Sequence, residues 1–501
     1  MSIETHKTGE SPRYLEDRGS RWTHYEGRML IGGELVSARS GRTMPIVDPS
    51  TEQELGTVPL GDAHDAEDAV SAASAAFPAW RDRPLRDRVG YLREVADLVR
   101  RNKEEFAALD ARDCGNPYQA MLGDVTLAIE AIEFFAGVAA EVKGSTYEHG
   151  PASLMFTEHQ PYGVAARILP FNHPFQFVAS KIAAPLVCGN TVIMKPAEHT
   201  SLSAMRFGEI VQSVLPPGVV NIVTGLGAEV GDALVRHPQV PRIAFTGSSA
   251  TGKRVLAGAV EGIKPVTLEL GGKNPMIVFA DVDVDQAVSA AVASMNFSRC
   301  QGQSCQSTSR LFLHDSIADV FVDRLAQAVG QLRVGSPMHD GTDMGPLAYA
   351  RHYEHVTGYI AKGLDEGARL LTGGGRPAGM GTNGYFVEPT VFVDVEPSMT
   401  IAREEIFGPV LSVFRWSDPA EVVQLANSAD YALTANIWTK SLHSALDMAR
   451  AIDAGYLWVN GVGKRGSGMP FGGYKNSGMG KEGSIEEIYS YTKQKTVNIT
   501  F

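Results

Sequence analysis

Cysteine is scarce: the 501 residues hold four, Cys114, Cys188, Cys300 and Cys305. That is too few for a disulfide framework at this length. No Cys-x-x-Cys occurs and no histidines cluster beside Cys300 and Cys305, so no metal site is expected. Basic excess is missing as well. Lys and Arg number 45 against 57 Asp and Glu, a net charge of −12, whereas a nucleic-acid surface needs concentrated positive charge. Long apolar runs are also missing. The most apolar region, 164–194, is broken by Asn172, His173 and Lys181, so no membrane span is expected there. Residues 1–20 are polar and lack the apolar segment of a signal peptide, which makes a cytoplasmic location the expectation. The chain carries no internal repeats or low-complexity segments.

What is present is an ordinary globular composition, 44% hydrophobic and 20% charged, in a chain long enough for about three domains. Residues 1–25 carry little pattern and read as a loose arm. Short alternating runs from 29 to 60 suggest a small β element. Helices are expected over Asp65–Phe77, Pro84–Arg112 (with Leu92, Val95, Leu98 and Val99 on one face) and Met121–Val142. After Gly150 the texture changes. Apolar runs at 164–169, 191–194, 219–223, 242–245 and 266–270 alternate with helical stretches, the rhythm of βαβ units and a parallel sheet.

Ligands of such sheets bind at the carboxyl ends of the strands, and here each strand end carries a polar or glycine-rich cluster. In order these are Phe171-Asn172-His173, Lys195-Pro196-Ala197-Glu198, Gly225 to Gly231, Phe245-Thr246-Gly247-Ser248, and Glu269. Gly225 to Gly231 is one residue longer than the dinucleotide fingerprint and carries little weight alone. Thr246-Gly247-Ser248 opens a helix, where free N–H groups favour a pyrophosphate. A second alternating layout follows, with strands around Leu311–Leu313, Leu411–Phe414, Ala435–Trp438 and Leu457–Val459. The tail from Tyr489 to Phe501 reads as a strand, and a terminal strand with an open edge invites another element or subunit.

The stretch between the two layouts bears the chemistry. It runs from Glu269-Leu270-Gly271-Gly272-Lys273-Asn274-Pro275 to Gly302-Gln303-Ser304-Cys305. Glycine lets ligand or chain lie against the backbone, a thiolate is a nucleophile, and a Glu can activate water on a covalent intermediate. A lone Cys or Glu would be a buried hydrophobe or a solvated strand end, but here the two occur together.

These motifs resemble the aldehyde dehydrogenase superfamily, whose signatures are a Glu-Leu-Gly-Gly-Lys run and, some thirty-odd residues later, a Gly-Gln-x-Cys run. Clusters at Glu404 to Val410 and Pro470 to Glu482 extend the likeness to roughly residues 30–495. The resemblance implies an α/β, aldehyde dehydrogenase-like fold: a discontinuous Rossmann-type NAD-binding domain (26–146 and 161–270), an α/β catalytic domain (271–470), and a β oligomerisation element (147–160 and 485–501). It implies Cys305 as nucleophile, Glu269 as general base, and Asn172 with the Cys305 N–H as oxyanion hole. Cofactor contacts would come from Phe171, Lys195, Ala197, Glu198, Gly227, Gly231 and Phe245. Thr246, Gly247, Ser248, Leu270, Glu405 and Phe407 would complete them. Lys181 and Glu482 would serve a proton relay or form a surface ion pair.

The implied reaction is oxidation of an aldehyde to the carboxylic acid through a cysteine thiohemiacetal and thioester. NAD is expected over NADP, because a carboxylate at Glu198 repels a 2′-phosphate. The partners expected are a small aldehyde and further copies of the chain, as homodimer or homotetramer. Substrate contacts are expected from His173, Gln176, Phe177, Arg299, Ser304, Arg465 and Phe471, with Cys300 lining the pocket. Arg299 and Arg465 suggest a clamp for an anionic semialdehyde. An aromatic aldehyde is the other expectation. Two further readings are a thiol hydrolase, which would leave the cofactor clusters without purpose, and a non-catalytic protein on the same fold.

Overall fold

A computed structural model describes residues 24–501. Its largest sheet has eight strands. Five are parallel, in the spatial order Val220–Ile222, Thr191–Lys195, Val164–Ile168, Arg242–Thr246 and Val266–Glu269. Numbered along the chain that order is 3-2-1-4-5, the doubly wound arrangement whose switch point lies between strands 1 and 4. Antiparallel strands cap both edges: Met29–Ile31 with Glu34–Val36 on one side, Gly478–Met479 on the other. Every residue of Val164–Ile168 and Thr191–Lys195 is buried. Along the first of these, Ala165 joins one core while Val164, Ala166 and Ile168 join the core on the opposite face. A strand covered on both faces reads as a continuous apolar run without polar alternation.

The second layout is a seven-stranded sheet, in order Arg369–Thr372, Thr390–Val393, Val410–Trp416, Arg310–His314, Pro275–Val278, Thr434–Trp438 and Tyr456–Val459. All pairs are parallel except the first, which is antiparallel. The chain passes from the first sheet to the second between Glu269 and Pro275, within the Gly271-Gly272 motif. A third sheet pairs Thr492–Thr500 along its full length with Ser153–Pro161, and then Thr146–Tyr147. Thr492–Thr500 is its outer strand and keeps one edge open.

Several boundaries differ from the sequence expectations. Pro84–Arg112 is two helices, Leu85–Arg101 and Lys103–Cys114, broken at Asn102 (φ −110°, ψ 19°). The third helix runs over Tyr118–Gly137 rather than to Val142. Tyr25 lies in a strand, Tyr25–Glu26, and is buried, while the remainder of the expected arm up to residue 23 falls outside the described residues. The tail strand starts at Thr492 because Ile485–Ser490 is helical. Among the described residues no helix is long and apolar enough to cross a membrane, and no group of three His, Cys, Asp or Glu could hold a metal ion.

Candidate active site

Glycines draw the Glu269 and Cys305 segments together. A Cβ on Gly272 would fall 2.5 Å from the Cys305 carbonyl oxygen. Asn274 then ties the strands of this loop: its amide donates to the carbonyls of Cys305 (2.7 Å) and Ser307 (2.9 Å) and accepts from the Thr434 N–H (3.0 Å). On the other side Gly302 (φ 70°) lets the Phe407-Gly408 segment approach, since a Cβ there would lie 2.3 Å from the Gly408 carbonyl oxygen. Cys305 sits half-buried at the centre. Burial, then the Glu269 and Glu405 carboxylates, push its thiol up to about 12.

Glu269 ends the strand Val266–Glu269 and is 5% exposed, with Oε1 lacking a protein partner. Gly472 leaves the space it needs, because a Cβ there would come 2.6 Å from that oxygen. Burial, then the Glu482 charge, raises the Glu269 carboxyl well above its usual range. Glu482 itself is held down to about 2: burial opposes ionisation, but Lys181 at 2.6 Å and Arg167 at 3.1 Å outweigh it. The Lys181–Glu482 pair is therefore largely buried behind Glu269 and is not on the surface. Asn172 is 4% exposed; its side-chain amide donates to the Gln303 carbonyl (2.8 Å), and its backbone carbonyl accepts from the Asn116 amide (2.8 Å). The second N–H of that amide remains available.

In front of Cys305 lies a small pocket of about 50 Å³, room for about four water molecules. Asn172, His173, Gln176, Phe177, Arg299, Ser304, Cys305 and Arg465 all line it, together with Asn436 and Trp458. Two residues expected there are elsewhere. Cys300 is fully buried, because the short helix Phe297–Cys300, flanked by Asn296 (φ 58°) and Gln301 (φ 54°), turns Arg299 outward and Cys300 inward. Phe471 is buried beneath Arg465, whose guanidinium stands 4.4 Å over its ring. Nor is Arg299 a free cation. Its Nη2 donates to Asp124 at 2.6 Å, and the other Asp124 oxygen faces His173 Nδ1 at 2.5 Å. Asp124, 1% exposed on the helix Tyr118–Gly137, went unnoticed in the sequence, since nothing local marks an acid whose partners lie 49 and 175 residues away.

The expected cofactor residues gather at the carboxyl ends of the parallel strands, on both sides of the switch point. Lys195 is 1% exposed, with its ammonium 2.9 Å from the Pro196 carbonyl and 3.5 Å from Glu198. Gly231 lies over the Lys195 stem, 3.7 Å from Cδ for a Cβ placed there. Gly227–Gly231 forms a π turn leading into Asp232–Arg236. Ser248 caps the helix Ser249–Ala259 through Thr251 N–H, and Gly247 is close under Phe245, where a Cβ would meet the ring at 2.5 Å. Ala197 and Glu198 are half-buried beside them, and Leu270 packs on Gly252. Glu405 accepts from the Gly272 N–H at 2.9 Å. Burial raises its carboxyl to about 7 against the opposing pull of that N–H and of Lys273. Phe171 and Phe407 meet edge to face at 5.6 Å, and Tyr349 and His352, which sequence reasoning missed, complete this aromatic wall. His352 Nε2 faces the carbonyl oxygen of Phe407, a residue at φ 56°. A helix N-terminus and glycine turns of this kind suit the phosphates of a dinucleotide.

A sequence model of the aldehyde dehydrogenase family matches residues 35–497. Aldehyde dehydrogenase tropH of Talaromyces stipitatus is 44% identical, over 90% of this chain and 89% of its own length. Hydroxyisobutyraldehyde dehydrogenase of Mycolicibacterium austroafricanum is 42% identical, over 94% and 93%. Among solved structures, the NAD+ complex of aldehyde dehydrogenase from Bacillus cereus is similar at a TM-score of 0.93 and 37% identity, covering 98% of this chain and 99% of that one.

Proposed function

The chain belongs to the aldehyde dehydrogenase family of oxidoreductases, and from that premise we propose that it oxidises a small aldehyde to the free carboxylic acid, with Cys305 as nucleophile. The observation that carries this reading is the convergence of three groups. The Cys305 thiol lines a pocket beside the Asn172 side chain, and Glu269 stands near enough for its charge to raise the thiol.

Each group has one task. As the thiolate, its proton having left to solvent, Cys305 adds to the aldehyde carbonyl, forming the C–S bond as the carbonyl π pair moves to oxygen. The spare Asn172 N–H and the Cys305 backbone N–H hold that oxygen, a preorganised pair in which one such donor is worth about 3 kcal/mol in acyl-transfer sites. Bound at the strand ends, NAD would accept the hydride from the thiohemiacetal carbon, which leaves Cys305 as a thioester. Glu269, unpartnered and raised in pKa, takes a proton from the water that displaces sulfur from the thioester. The Glu482–Lys181 pair behind it can pass that proton onward. A carboxylate at this position favours water as acyl acceptor.

For the cofactor, Lys195 and Glu198 would hold the adenosine ribose, Thr246 to Ser248 and the Gly227–Gly231 turn the pyrophosphate, and Glu405 with Phe407 the nicotinamide ribose. The Glu198 carboxylate supports NAD over NADP, because a 2′-phosphate would meet like charge. Residues 26–146 with 161–270 and residues 271–470 are proposed as cofactor and catalytic domains. The open edge of Thr492–Thr500 supports pairing with a second copy through 147–160 and 485–501, giving a dimer or tetramer.

Among substrates, the pocket supports short chains with a polar end. An anionic semialdehyde would rely on Arg465 at the exposed rim, since Asp124 occupies Arg299, and an aromatic aldehyde would lie against Phe177 and Trp458. The test is NADH formation over an aldehyde panel with acid product measured. Cys305→Ala should lose all turnover while still binding NAD. Turnover that survives in Cys305→Ala removes Cys305 from the chemistry.

A further inference from the structure

Four buried amide side chains, Asn116, Asn172, Gln301 and Gln303, join three distant segments into a closed ring behind the pocket. The Asn116 amide donates to the Asn172 backbone carbonyl at 2.8 Å, and the Asn172 side-chain amide donates to the Gln303 carbonyl at 2.8 Å. Gln303 Nε2 donates to Gln301 Oε1 at 2.8 Å, and Gln301 Nε2 donates at 3.2 Å to the carbonyl of Gly115, the residue before Asn116. Backbone groups fix which way each amide points. A carbonyl only accepts, so the atoms of Asn116, Asn172 and Gln301 that face one are nitrogens. The Gln303 atom that faces the Ala348 N–H at 3.0 Å is, for the converse reason, oxygen. Asn172 Oδ1 is sealed, without a protein partner among the described residues, so Nδ2 is the polar atom that this side chain can turn to the pocket it lines. Gln303 takes one of the two Nδ2 protons, and the other is left for a ligand.

Asn116 acts on the backbone of the donor residue. Its bond holds the peptide between Asn172 and His173, and without that bond the peptide can turn and swing the Asn172 side chain. The flanks of this loop are held separately: the Thr200 hydroxyl donates to the Phe171 carbonyl at 3.0 Å, and the Phe175 N–H donates to Asp110 at 2.8 Å. The other links set the donor against the nucleophile, because Gln303 stands two residues before Cys305. Hydrogen bonds linked in this way and sealed from water reinforce one another. We propose that Asn116 and Gln301 are positioning residues for the oxyanion hole, holding the Asn172 amide through the ring with one N–H on Gln303 and the other at the Cys305 pocket. Both are fully buried and neither lines the pocket, so they act through Asn172 and not on the substrate. This rests on the assignment of Asn172 and Cys305 above.

The test is a double-mutant cycle on kcat/KM with NAD, using the panel aldehyde that the wild type turns over fastest. Asn172→Ala removes the donor and should cost about 100- to 1000-fold. Asn116→Leu keeps the volume but not the bond, and a donor displaced by about 1 Å should cost about 10- to 100-fold. If Asn116 acts through Asn172, adding Asn116→Leu to Asn172→Ala should cost no more than about threefold further. Gln301→Met opens the ring on its other side and should show the same non-additivity with a smaller loss, so it decides the matter by the same rule if Asn116→Leu does not fold. Alkylation of Cys305 by iodoacetamide develops no oxyanion and should stay within about twofold of wild type in Asn116→Leu. Equal losses in the presence and absence of the Asn172 side chain, a folded Asn116→Leu enzyme within about twofold of wild type, or alkylation that falls in step with turnover would each overturn the proposal. Wild-type kcat/KM in Asn172→Ala would instead overturn the oxyanion assignment, and no NADH from any panel aldehyde would overturn the dehydrogenase reading itself.

Discussion

Gly271 offers a one-methyl test of how the motif builds the cofactor site. Its backbone is outside the left-handed region, so alanine meets no conformational strain there. The obstacle is spatial: a Cβ would lie 1.8 Å from Glu405 Oε2 and 2.8 Å from Oε1. The half-buried Glu405 side chain yields more readily than the Gly271-Gly272 backbone, which is fixed between two sheets. Glu405 then loses its 2.9 Å hydrogen bond from the Gly272 N–H and leaves the position from which it would hold the nicotinamide ribose. A hydrogen bond to a charged group is worth about 1.5–3 kcal/mol, so Gly271→Ala should weaken NAD binding about 10- to 100-fold. Titration of NAD by protein fluorescence measures this, with Cys305 alkylation as a check that the pocket is intact. An NAD affinity within about twofold of wild type, in a protein whose thermal unfolding is unchanged, would refute the assignment of Glu405.

Three more outcomes follow from the same geometry. With its pKa raised to about 12, Cys305 is a thiol at neutral pH, and its thiolate fraction grows as pH rises towards that value. Alkylation by iodoacetamide without NAD should thus increase about tenfold per pH unit from 7 to 10, and a plateau below about pH 9 would contradict the burial account. Glu198→Gln removes the charge opposed to a 2′-phosphate, so the ratio of NADP to NAD in kcat/KM should rise about five- to tenfold; an unchanged ratio places the discrimination elsewhere. Cys300→Ala should keep most of the activity and cost about 1 kcal/mol of stability, whereas loss of activity in a folded Cys300→Ala enzyme would reverse the assignment of the two cysteines.

The sequence carried the parts of this site that are local. Glycine beside Glu269, glycine before Cys305, and polar clusters after apolar strands are each visible within a few residues, and the parallel sheet brings them together. What it could not carry is pairing at long range. Arg299 read as a free anion clamp because Asp124 lies 175 residues away on a helix that otherwise looks like ordinary core. Cys300 read as pocket lining because the direction of a side chain in a four-residue helix depends on the positive φ angles at Asn296 and Gln301, which neither residue type announces. The break at Asn102 escaped detection for a related reason. No proline or glycine stands at the break: the one glycine of Leu85–Cys114, Gly90, lies inside the first helix, and the apolar periodicity runs through the turn.

The central claim, a covalent Cys305 intermediate cleared by Glu269, is tested most directly by Glu269→Gln mixed rapidly with aldehyde and NAD. The account predicts a burst approaching one NADH per subunit, slow steady turnover, and an acyl mass on the peptide containing Cys305, because hydrolysis of the thioester becomes limiting. A steady rate equal to wild type with no burst, or acyl mass on a different residue, would contradict it.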